Sequence, residues 1–107
     1  MGLRRVAVVG ACLTMFMRRA KDTSKELSWA ASKTALDSAH MSLDEIDCVV
    51  HGTAPDAFDG VHQKAEFLSD GSGAYKKPYM RNYVGGGTGV YAPIHGWFHV
   101  ASGMFDT

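Results

Sequence analysis

Ile46-Asp47-Cys48-Val49-Val50-His51-Gly52 is the stretch on which the fold turns. Cys48, Val49 and Val50 form an unbroken apolar run closed by Gly52, the pattern of a strand covered on both faces and therefore of a parallel sheet. Immediately before it, Ser42-Leu43-Asp44-Glu45 has the spacing of a capping box and predicts a single helical turn that delivers the chain to Asp47. Further back, Thr23-Ser24-Lys25-Glu26 repeats that spacing. It predicts a helix running through Leu27, Ala30, Ala31, Thr34 and Ser38 to about His40, with an inward side of small residues able to pack close to a sheet. Arg5 to Val9 (RVAVV), β-branched and ended by Gly10, predicts a second strand buried on both faces. Strand, helix and strand in that order make a βαβ unit, which is parallel and right-handed in nearly all proteins.

Downstream, Thr53 to Lys77 is loop-rich, with a short helix predicted over Val61 to Leu68. Pro78 to Val84 (PYMRNYV) alternates as a third strand, and Gly85-Gly86-Gly87-Thr88-Gly89 makes a turn. A second long helix is predicted over Val90 to Ser102, with Pro93 near its first turn and Gly103 as its C-cap. Met104-Phe105-Asp106-Thr107 reads as the approach to a further strand. The expected fold is thus α/β, in the order β-α-β-α-β-α, within one partial domain spanning residues 1–107. Its sheet is an incomplete layer.

Composition narrows the function. Of the 107 residues 46% are hydrophobic and 21% charged, which suits a small globular domain with a modest core. Eleven basic and eleven acidic residues cancel, without like-charge runs beyond pairs such as Arg4-Arg5, so no nucleic-acid surface is indicated. The apolar run after Arg4-Arg5 is too short for a signal peptide and is followed at once by Arg18-Arg19. No segment approaches the roughly 18 apolar residues of a membrane span. A cytoplasmic chain with Cys12 and Cys48 as reduced thiols is expected.

Several groups of residues could carry chemistry. The Gly85 to Gly89 turn sits between a strand and a helix N-terminus, where free N–H groups could hold an anion or oxyanion; a close backbone crossing would require glycines equally well. It matches neither a Walker A loop nor the dinucleotide fingerprint. Val8-Val9-Gly10-Ala11-Cys12 reads more simply as a strand end than as a nucleotide-binding turn. His95 and His99 are four apart, as are His62 and Glu66, but no third ligand accompanies either pair, so no metal site is expected. Trp97 and Phe98 read as packing residues. Asp56 and Asp59 follow the second strand, where open α/β sheets place functional groups, yet they lack a partner base and read as a solvated loop. Cys48, inside an apolar strand, is expected to be inert, and Cys12 has no activating base nearby in sequence.

Taken in order, these pieces resemble the opening of the thiolase superfamily. The resemblance rests on Arg5 to Gly10, on the capped helix with Ala35-Leu36-Asp37, and on Ile46 to Gly52. It continues through Gly86-Gly87-Thr88-Gly89 to the helix ending at Ser102-Gly103, with Asp106 close behind. It covers essentially the whole chain and is closest to the sterol-carrier-protein-type and archaeal members, judged from Gly52 to Gly60. The resemblance implies an α/β fold of which this chain is the N-terminal part. It also implies a coenzyme A thioester as substrate and acyl transfer, or carbon–carbon bond formation or cleavage, as the reaction. Homo-oligomers, or complexes with thiolase-family and OB-fold zinc-ribbon subunits, are the implied partners, with Pro78 to Val84 near the dimer axis.

One departure matters most. Gly86 stands where the family motif places its nucleophilic cysteine, so no catalytic residue is assigned in this chain; Gly86, Gly87 and Thr88 are expected to shape the acyl pocket. Two other readings are a noncatalytic thiolase-like subunit that assembles with a catalytic partner, and a standalone α/β binding domain.

Overall fold

The computed structural model describes residues 2–55, 57, 60 and 64–107. The first regular element is helix α1, Ser24–Ala39. Its start is fixed by the predicted capping box: the Glu26 N–H donates to the Thr23 hydroxyl at 3.2 Å, and the Thr23 N–H donates to the Glu26 carboxylate at 2.7 Å. Those bonds hold the Glu26 carboxyl below its usual range. At the other end His40 adopts the left-handed conformation, with φ of 54°. The His40 and Met41 N–H groups then reach back to the Asp37 and Leu36 carbonyls. A 3-10 turn over Leu43–Glu45 follows, stabilised by the Ser42 N–H donating to the Glu45 carboxylate.

Strand β1, Val49–Gly52, pairs in parallel with β2, Tyr79–Asn82, in the register Val49 with Tyr79 through Gly52 with Asn82. Between them lies helix α2, Lys64–Leu68. The predicted start of that helix at Val61 falls outside the described residues. Helix α3, Thr88–Ala101, begins two residues earlier than expected, so Pro93 sits in its second turn and not its first. The proline has no N–H to offer the Gly89 carbonyl, so that helical hydrogen bond is missing. Gly103, at φ of 83°, follows the C-cap residue Ser102 as predicted.

Parallel strands alternate their side chains between faces, and here the two faces are unequal. Gly52 faces α3 so closely that a Cβ there would lie 2.9 Å from the Thr88 methyl and 3.1 Å from the Ala92 Cβ. On the opposite face α1 does not close onto the sheet. It packs against α2, and the space between α1 and β1 is open, lined from α1 mostly by small residues, Ser24, Ser28, Ala31, Ser32 and Ala35, together with Leu27 and Leu36. The expected close packing of this helix is therefore not found. Buried apolar side chains among the described residues are confined to Leu68, Ala74 and Ala101.

The largest departure from expectation is at the N-terminus. Arg5 to Val9 makes no strand: it is irregular, and Val8 is 90% exposed. A strand exists only where a neighbour completes its ladder. One edge of β1 is used by β2; at the other, the Cys48 N–H just before the strand donates to the Thr107 carbonyl, and Arg5 to Val9 stands across an open groove from Val50 without pairing to it. The N-terminal segment is held instead by Arg4. Its N–H donates to the Ala101 carbonyl, and its guanidinium donates to the Val100 and Phe105 carbonyls and to the Asp106 carboxylate. Among the described residues the order is therefore α-β-α-β-α with a two-stranded parallel sheet, an α/β arrangement with one strand fewer than predicted.

Candidate functional site

Candidate functional groups lie at the turn between β2 and α3 and on the two faces of the β1–β2 sheet. In the turn after β2, Gly85 has φ of 51°, and the Gly87 N–H donates to the Val84 carbonyl at 2.9 Å. Thr88 locks the turn: its hydroxyl accepts from the Val84 N–H at 2.9 Å and donates to the Gly85 carbonyl at 2.8 Å. Buried and doubly bonded, that hydroxyl is a structural bolt with no freedom to act as a nucleophile.

The glycines of the turn are not there for a close crossing. A Cβ at Gly86 or Gly89 would meet no atom within 4 Å, and neither residue has positive φ. The crossing that glycine does serve is at Gly52, against α3. At the turn itself the exposed N–H groups of Gly86 and Gly89 make no hydrogen bond to any described residue. They lie at the positive end of the α3 dipole, an arrangement that stabilises negative charge developing on a nearby oxygen.

Two side-chain pairs lie on the two faces of the sheet, and reading the sequence missed both as pairs. On the α1 face, the Tyr79 hydroxyl lies 2.8 Å from His51 Nδ1, and the rings meet edge to face. Burial, helped by the nearby Arg81 charge, pushes the His51 pKa down, and burial pushes the Tyr79 phenol up. Both shifts favour the neutral pair, in which the phenol donates and the imidazole accepts. His51 lines an open cleft of about 500 Å³ with Thr14, Ser24, Ser28, Thr53 and Ser72. Arg81 beside it donates to the Thr53 hydroxyl at 2.7 Å and to the Ala54 carbonyl at 3.0 Å. The signal that could have found this pair is the parallel register, which sets His51 opposite Arg81 and diagonal to Tyr79 on one face.

On the α3 face, Asn82 is buried with its amide nitrogen 2.8 Å from His95 Nδ1, and its carbonyl oxygen has no partner among the described residues. Tyr91 meets the His95 ring edge to face. His95 and His99, paired by spacing in the sequence, are thus separately engaged, since His99 stacks on Phe105. Among the described residues no group of three or more His, Cys, Asp or Glu side chains could hold a metal ion. Asp56, Asp59 and His62 lie outside the described residues.

The two cysteines are free. Cys48 stands immediately before β1 and not inside it as expected; it is half-buried, and burial together with the Asp47 charge pushes its thiol up. Cys12 is exposed. No helix among the described residues is long and apolar enough to cross a membrane. Neither a protein-family model nor a curated protein matches the chain.

Proposed function

We propose that this chain is the N-terminal part of a thiolase-like, cytoplasmic protein that processes acyl-CoA, with Gly86 in place of the nucleophilic cysteine. The observation that carries the reading is the turn at the head of α3. It follows a parallel strand, offers the unpaired N–H groups of Gly86 and Gly89, and leaves open space where a side chain at Gly86 would stand. In this reading Gly86, Gly87 and Thr88 shape the floor of the acyl pocket, and the free N–H groups receive the thioester oxygen as negative charge builds on it.

A glycine cannot form an acyl-enzyme, so ping-pong acyl transfer from this position is ruled out. Cleavage or formation of a carbon–carbon bond next to a thioester by an aldol-type route needs no acyl-enzyme and is compatible with the turn. The test is to assay the full assembly with 3-ketoacyl-CoA plus free coenzyme A, and separately with 3-hydroxyacyl-CoA. Release or consumption of thioester in either assay supports the proposal; turnover of neither sinks its catalytic form.

A second reading is favoured by the state of the nucleophiles. Thr88 is bonded on both sides and Cys48 is held protonated, which suits a noncatalytic subunit that supports a catalytic partner. The outer edge of β2 has no strand beside it among the described residues, so Pro78 to Val84 is the segment placed at such an interface, in a homo-oligomer or against a thiolase-family subunit. An OB-fold zinc-ribbon subunit is the further partner in this proposal. Affinity capture on the tagged chain that recovers an active thiolase homologue supports this reading, and capture of the chain alone counts against it.

A further inference from the structure

A groove of about 720 Å³ separates the edge of β1 away from β2 from the segment Arg5 to Val9. Ala92, Trp97 and Val100 of α3 line it, as does Cys48 beside Val50. Both sides of this groove carry main chain that lacks partners. The Val49 N–H donates to the Pro78 carbonyl, so the alternation of a strand turns the N–H and C=O of Val50 the other way, into the groove. Neither group is bonded to a described residue, and the same holds for every main-chain group of Arg5 to Val9. Side chains repeat the mismatch. Val8 and Val9, β-branched residues suited to a pleated sheet, are 90% and 61% exposed.

The segment is tethered at both ends. At one, the Arg4 N–H donates to the Ala101 carbonyl and the Arg4 guanidinium grips the Phe105 carbonyl and the Asp106 carboxylate. At the other, the Ala11 N–H donates to the Ser38 hydroxyl at 3.2 Å, and Gly10 lies so near α1 that a Cβ would collide with the Ala35 carbonyl. Five residues between two anchors extend to at most about 18 Å, so the segment can swing into the groove and reach little else. The anchors also set its sense. Asp106, which Arg4 holds, donates its N–H to Asp47 just ahead of β1, whereas Val9 lines a cavity together with Val49. From Arg4 to Val9 the segment therefore advances as β1 does, parallel to it.

We propose that Arg5 to Val9 is a strap that closes onto the free edge of β1, pairing its main chain to Val50 as a third parallel strand and covering Cys48. Closure satisfies polar groups on both sides at once and takes Val8 out of water. Alternation sends Val6 and Val8 to one face and Ala7 and Val9 to the other, and both faces find apolar cover, α3 on one side and the cavity below α1 on the other. Open, the strap leaves the groove and the Cys48 thiol within reach of solvent; closed, it withdraws both. The device involves no thioester and no turnover, so failure of the acyl-CoA assays leaves it standing.

The test is made on the 107-residue chain in solution. Closure predicts nuclear Overhauser contacts between the main-chain protons of Val50 and those of Val6 to Val9. It also predicts exchange at the Val50 amide slowed about tenfold or more relative to an unstructured peptide. Val8→Asp changes a side chain that is exposed when the strap is open and sets a charge where the closed strap is buried. The variant should lose those contacts, return Val50 exchange to the peptide rate and raise alkylation of Cys48 by N-ethylmaleimide several-fold, with exposed Cys12 reacting as before. The Val49 amide, bonded to Pro78, should stay protected in both chains and so report that the sheet is intact. Absence of the Val50 contacts from the unmodified chain overturns the proposal, and that measurement decides alone if the variant loses Val49 protection. A folded variant in which Val50 exchange and Cys48 alkylation are unchanged overturns it equally.

Discussion

At Gly86 an added Cβ meets nothing within 4 Å, whereas at Gly10 it would collide with the Ala35 carbonyl and lie 2.9 Å from both the Ala39 Cβ and the Ser38 hydroxyl. Gly86→Cys is therefore expected to change stability by less than about 0.5 kcal/mol, and Gly10→Ala to lower it by about 1–3 kcal/mol, both read from urea midpoints. A large loss at Gly86 would mean that the turn is not the open platform described above. His51 gives a second expectation at this scale. Its folded pKa lies below the ordinary histidine value of 6.5, so between those two values the unfolded chain binds more protons than the folded one. Stability should then rise with pH through that window and be fully present above 6.5. A urea series from acid to neutral pH should show this slope, and His51→Gln should flatten it; an unchanged slope in the variant would assign the effect elsewhere.

At the scale of elements, α1 depends on its ends. None of its residues is buried, so the capping box carries an unusual share of its stability. Thr23→Ala should cost about 1 kcal/mol, measured as a shift in the urea midpoint, and helical circular dichroism should fall in step. These local devices are what sequence makes legible: the Thr23 cap, the halt at His40, the turn over Leu43–Glu45 and the glycine after α3 all depend on neighbours a few residues away. Long-range pairing is less legible. Arg5 to Val9 has the composition of a strand, but the sequence does not say whether a ladder partner lies beside it, and in the fold none does. The inward face of α1 was legible as small, but not that small residues would leave a cleft. At the site, the sequence located the glycine turn after β2. It did not distinguish the open glycines, Gly86 and Gly89, from Gly52, the one pressed against α3, because only packing separates them. His51 with Tyr79, and Asn82 with His95, are contacts between separate segments, visible once the register of β1 on β2 is known.

For the whole molecule, the balance of surface and core governs behaviour. Val8, Leu13, Met15 and Phe16 are each more than three-quarters exposed, and buried apolar side chains are few. A surface of this kind favours association. The 107-residue chain in isolation is expected to bind an apolar dye and to show a sedimentation mass that climbs with concentration; a dye-silent monomer at all concentrations would contradict that view. The Arg4 clamp adds an order to events. It ties together segments 102 residues apart in sequence, linking Arg4 to Asp106 at 2.7 Å. During synthesis Arg4 leaves the ribosome 102 residues before the carboxylate it is to grip. Until Asp106 emerges Arg4 has no hold, and the exposed Val8, Leu13, Met15 and Phe16 beside it offer a chaperone its natural opening.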